Sequence, residues 1–104
     1  MTLLTILVKL TTVIKAFADK NTKEFWDTGK GMPPANLRGA AKKKLAMLHS
    51  AGRLEDLRVP HGNRLEQLRR DRVGQHSIRI NDQFRVCFVW RDGDAFDVEI
   101  TDYH

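Results

Sequence analysis

The chain has little cysteine: one residue, Cys87, in 104. No internal disulfide can form, and a zinc site built on cysteines is excluded. That usage fits a reducing, cytoplasmic setting. The four histidines, His49, His61, His76 and His104, stand without metal-ligand spacing, so no bound metal or other cofactor is expected. The apolar run MTLLTILVKLTTVI is too short to span a bilayer. It also lacks the basic n-region and small-residue cleavage site of a secretory signal, so no membrane partner is expected. Internal repeats and low-complexity tracts are absent.

What remains is one small, basic domain. Lys and Arg number 18 against 13 acids, a formal net charge of +5, with 41% hydrophobic residues. An isoelectric point near 9.7 points to nucleic acid before a membrane surface or an acidic protein. The domain is expected over residues 13–104. Residues 1–12 are expected to be the product of a start placed too early or a poorly ordered extension, the alternative being a real extra strand or short helix.

The periodicity predicts a short strand over 13–17, then a short helix capped by Asn21 with Glu24 three residues on, carrying Phe25 and Trp26 and stopped at Gly29. Pro33-Pro34 opens a second helix with Leu37, Ala41, Leu45 and Leu48 on one face, ending at Ala51-Gly52. Leu54, Leu57 and Val59 are expected to pack as a short hydrophobic turn. The period then changes to two over 77–81, 84–90 and 96–102, with turn signals at Asn81-Asp82 and Asp92-Gly93-Asp94. The expected class is α+β: two N-terminal helices packed on one face of a mainly antiparallel twisted sheet, the other face free. Alternation assigns Ile78, Ile80, Phe84, Val86, Phe88, Trp90, Phe96, Val98 and Ile100 to the helix side. Arg79, Arg85, Cys87, Asp97, Glu99, Thr101 and Tyr103 fall on the open side.

The chemistry-bearing residues gather there. Asp102, Tyr103 and His104 place a carboxylate, a phenol and an imidazole side by side at the end of DVEITDYH. Arg79 and Arg85 lie on adjacent strands, as a phosphate clamp or as cross-strand partners of Asp97 or Glu99. Arg64, Arg69, Arg70 and Arg72 extend the basic patch. His76 reads as structural, Cys87 as packing beneath the surface, and Trp26 and Trp90 as core residues.

The segment GNRLEQLRRDRVGQHSIRINDQFRVCFVWRDGDAFDVEITDYH resembles the HigB toxins of the RelE/ParE superfamily. The aromatic-then-Arg of the sheet, the D-A-F-D hairpin and the closing D-Y-H carry the likeness, which extends over most of 13–104. The resemblance implies a RelE-like, microbial-RNase-like α+β toxin of a type II toxin–antitoxin system. Such a toxin enters the A site of the 30S ribosomal subunit and cuts translated mRNA without a metal, by attack of the ribose 2′-OH on the adjacent phosphate. The implied partner is a HigA-type helix-turn-helix antitoxin, through which alone the toxin would meet operator DNA. Position by position, Arg85, Tyr103, His104 and Asp102 match the catalytic set, and Arg69 falls where a substrate-contacting lysine is common. Arg64, Arg79 and Glu66 complete the expected substrate-binding set. Glu66 stands where some members carry a catalytic histidine, and this departure leaves the identity of the general base open. ParE relatives with this fold poison DNA gyrase instead, so a non-catalytic module is the alternative.

Overall fold

The computed structural model of the protein describes residues 14–102. The question of the early start, and the terminal Tyr103 and His104, lie outside the described residues. The elements in chain order are α1 (Lys20–Thr28), α2 (Arg38–Ser50), β1 (Glu66–Gln67), β2 (His76–Arg79), β3 (Phe84–Arg91) and β4 (Asp94–Asp102). Short 3-10 turns fill the connections, including Ala35–Leu37, Leu54–Arg58, His61–Asn63 and Arg70–Arg72. No helix among the described residues is long and apolar enough to cross a membrane.

α1 begins two residues earlier than its sequence suggests. Asp19 is the N-cap, in extended backbone, and its carboxylate accepts from the Thr22 N–H at 3.1 Å. That oxygen already satisfies an orphan donor of the first turn, so Asn21 is drawn inside the helix. Gly29 ends it with φ 76°, its N–H donating to the Phe25 carbonyl at 2.7 Å. The left-handed conformation is the reason for glycine there. α2 follows Pro34 through a 3-10 turn and buries Ala41, Leu45 and Leu48 along one stripe, as the spacing predicts.

The sheet is antiparallel in the order β1-β2-β3-β4. Residues 14–17 run parallel to the outer edge of β4 through isolated bridges, Ile14 to Ala95 and Phe17 to Val98. β3 and β4 are joined by Asp92 (φ 53°) and Gly93 (φ 80°), with Arg91 opposite Asp94. Two positive φ values in a two-residue loop suit the right-handed twist of a hairpin. At the other turn Asn81 Oδ1 accepts from the N–H groups of Gln83 (2.9 Å) and Phe84 (2.7 Å), a side chain standing in for a backbone turn.

The core joins Phe25 of α1 and Leu45 and Leu48 of α2 to Ile78, Val86, Phe88, Val98 and Ile100 of the sheet. Full burial of such side chains contributes roughly 1.5–3 kcal/mol each. Phe96, expected in this core, is outside it. A bulge between Cys87 and Val89, with Asp97 at φ 50°, shifts the register so that Phe96 faces Val89 and Ala95 faces Trp90. Ala95 is therefore fully buried in its place, and the Arg91 guanidinium lies 4.0 Å from the Phe96 ring centroid. Nor is the other sheet face free, as alternation alone predicts. Ser77 and Cys87 are fully buried there and Arg85 is only 9% exposed. The link between β1 and β2 reaches it through Arg72, which pairs with Glu99 of β4 at 3.2 Å. Val59 also departs from expectation: it is 71% exposed, while Leu57 is buried.

Candidate active site

β2 and β3 set the position of the central side chain. Arg79 and Arg85 are Cα partners across the two strands, so both fall on the face away from the helices. Ser77 shares that face and is the diagonal neighbour of Arg85. The Arg85 Nε–H donates to Ser77 Oγ at 2.7 Å. Its Nη2 donates to the Arg64 carbonyl at 2.7 Å and approaches Glu66 Oε1 to 3.5 Å. Arg64 has φ 46°, the left-handed cap that ends the His61–Asn63 turn, a conformation that costs a non-glycine residue free energy. Here it carries the carbonyl that fixes the guanidinium. Arg64, Leu65, Glu66 and Arg85 wall a cavity of about 480 Å³.

A second concavity of about 270 Å³ adjoins it, lined by Glu66, Gln67, Leu68, Arg69 and Arg70. Glu66 belongs to both walls: Arg64 and Arg85 line the first concavity, a basic groove, and Arg69 and Arg70 line the second. Arg79 is on the same face but is paired with Asp82 in the neighbouring turn. Glu99, one of the expected cross-strand partners of the sheet arginines, is instead paired with Arg72, at 3.2 Å. Asp102 is the Cα partner of Phe84, which is on the helix side of the pleat, and its Oδ2 accepts from Gln83 Nε2 at 2.9 Å. Thr101 is the partner of Arg85, so the described end of β4 lies beside the groove.

Two titratable groups of the sheet are governed by burial. Burial pushes the Cys87 thiol up from its ordinary value, keeping it in the neutral form. Burial also pulls the His76 imidazole down. His76 opposes Phe88, with ring centroids 6.2 Å apart, and so belongs to the helix side of the sheet rather than to the groove. Sequence reasoning missed Ser77. Its signal was present in the alternation, which sets a hydroxyl two residues before Arg79 on the arginine face.

The architecture defines a class. A chain of the YoeB–YefM complex from Staphylococcus aureus matches this fold with a TM-score of 0.56 at 20% identity, covering 89% of this chain and 97% of that one. The YoeB dimer from the same organism matches with a TM-score of 0.53 at 20% identity, covering 93% and 99%. The protein thus has the RelE-like α+β fold. The sequence narrows this further: the family model described as RelE-like toxin of type II toxin-antitoxin system HigB matches residues 15–104, and the chain belongs to that family. Toxin HigB-1 of Vibrio cholerae serotype O1 is 40% identical over 81 residues, 76% of this chain and 85% of that toxin. An uncharacterised protein of Haemophilus influenzae is 33% identical over 62 residues, 60% of this chain and 61% of its own.

Proposed function

We propose that this type II toxin is an endoribonuclease that cleaves translated mRNA on the ribosome, in the cytoplasm. The single observation that carries the reading is Arg85, a nearly buried guanidinium fixed by Ser77, the Arg64 carbonyl and Glu66 at the wall of an open cavity. A rigid cation at an open concavity suits a reaction in which negative charge builds on a phosphoryl group.

In this mechanism the ribose 2′-OH gives its proton to a base as its oxygen attacks phosphorus. The P–O5′ bond then breaks and the departing 5′-oxygen takes a proton, leaving a 2′,3′-cyclic phosphate and a 5′-hydroxyl. Arg85 stabilises the charge on the non-bridging oxygens. Arg64 and Arg69 neutralise backbone phosphates along the groove, each with planar donors suited to them. Glu66 stands in the groove as the candidate proton acceptor, and His104 is the candidate donor of the proton that the departing 5′-oxygen takes. Tyr103 orients the nucleotide, and Asp102 supports the proton transfer by His104. Arg79 adds charge at the groove's edge. The toxin's antitoxin is proposed to be of the HigA type, with a helix-turn-helix domain that alone contacts operator DNA.

Induced expression tests the reading. Growth should arrest, and primer extension on a reporter mRNA should show cuts inside translated codons that vanish when the start codon is removed. Arrest with intact mRNA would contradict cleavage and favour a non-catalytic target such as DNA gyrase.

A further inference from the structure

The bulge that takes Phe96 out of the core delivers it to the face that carries Arg85. β3 runs without an inserted residue, so Arg85, Cys87, Val89 and Arg91 project to one side of the sheet. Opposite them on β4 stand Thr101, Glu99, Phe96 and Asp94. The extra residue of β4 falls between Glu99 and Phe96, where Asp97 has φ 50°, and it turns Phe96 to that side. The ring is half-buried there beside Val89. The guanidinium of the exposed Arg91 lies over it, 4.0 Å from the centroid. The cation rests on the negative face of the ring, which holds a long side chain in place and keeps its plane on the sheet.

Three observations select single-stranded RNA as the occupant. The pair shares its face with the Arg85 groove: Val89, the partner of Phe96, is about 13 Å along β3 from Arg85 at the usual strand rise. That is beyond the nucleotide at the breaking bond and within reach of the strand that carries it. Positive charge continues along the way, because the row between them holds Glu99 and its partner Arg72. The last is the chemistry of the pair. Unpaired bases are held on aromatic rings and on guanidinium planes. A base can stack on Arg91 as it stands, whereas an apolar protein anchor would have to displace the guanidinium to reach the ring.

We propose that Arg91 and Phe96 form a stacking platform for one unpaired base of the RNA, away from the step being cleaved. The platform rests on the endoribonuclease reading of the Arg85 groove. It sets how the strand lies along the sheet and touches none of the reacting atoms. Every base has a π-face, so the platform accepts any of them.

The test is binding of a short single-stranded RNA whose 2′-hydroxyls are methylated, so that it is held but not cut, to the full-length protein. Phe96→Leu keeps the apolar bulk and loses the ring. It should weaken binding by about tenfold, a usual loss for one stacked base, and leave the salt dependence unchanged because no phosphate contact goes. Phe96→Tyr should bind as the wild type does. Arg91→Lys keeps the charge but loses the plane, and should weaken binding as well. An abasic residue walked along the RNA should cost the wild type about tenfold at one position, and at that position Phe96→Leu should lose nothing more. If Phe96→Leu matches the wild type while Arg85→Ala weakens binding, the platform is refuted and the groove stands. If neither substitution changes binding, both fall. A Phe96→Leu protein weakened by the same factor wherever the abasic residue sits has lost shape rather than a stack, which overturns the platform. So does one that binds RNA normally but loses its antitoxin, since the ring would then belong to a protein interface.

Discussion

Replacing Arg85 with alanine is expected to slow mRNA cleavage by about two to three orders of magnitude, the usual consequence of deleting one preorganised donor from a charge-stabilising site. The guanidinium is 9% exposed and is fixed by Ser77, Arg64 and Glu66, so it reaches the transition state already ordered. Removing it also leaves the Arg64 carbonyl and the Ser77 hydroxyl without this donor, at roughly 1–3 kcal/mol of stability. Arg85→Lys separates the two effects. It keeps the charge but loses the planar fork, and its rate should fall between the other two. Thermal melting alongside single-turnover cleavage makes the check. An Arg85→Ala protein that is folded and cuts at the wild-type rate would remove Arg85 from the chemistry.

The largest effect on stability is expected at Phe88. Phe88→Ala should lower the unfolding free energy by about 3–5 kcal/mol, the range for truncating a buried aromatic. The ring is fully buried in the cluster that joins both helices to the sheet, and His76 packs against it. Small domains have only about 5–15 kcal/mol in all. The variant should therefore be partly unfolded at growth temperature and weakly toxic through low abundance, with its groove residues intact. Urea denaturation measures the loss, and a change below about 1 kcal/mol would show that the core is not organised around this ring.

Much of this core was legible from spacing. Ala41, Leu45 and Leu48 fall at helical intervals, and Ile78, Val86, Val98 and Ile100 alternate along strands, because burial on one side imposes those periods. The same alternation put Arg79 and Arg85 together on the opposite face. Two features were not legible. The bulge at Asp97 inserts one residue without changing composition, so the pattern assigns Phe96 to the core where Ala95 sits. The cover over the second face comes from the link between β1 and β2, where the 3-10 turn Arg70–Arg72 carries no period to read and Arg72 reaches Glu99. That cover is what turns an exposed basic face into a groove, and it is why Glu66 could be named as a candidate but not placed against Arg85.

The proposed chemistry is tested most directly by the ends it leaves. Purified wild-type protein incubated with ribosomes translating a defined mRNA should yield fragments ending in 2′,3′-cyclic phosphate and beginning with 5′-hydroxyl, resolved by mass spectrometry. Their formation should require the ribosome and be lost with Arg85→Ala. Fragments with 3′-hydroxyl and 5′-phosphate ends, or mRNA that stays whole, would contradict the account.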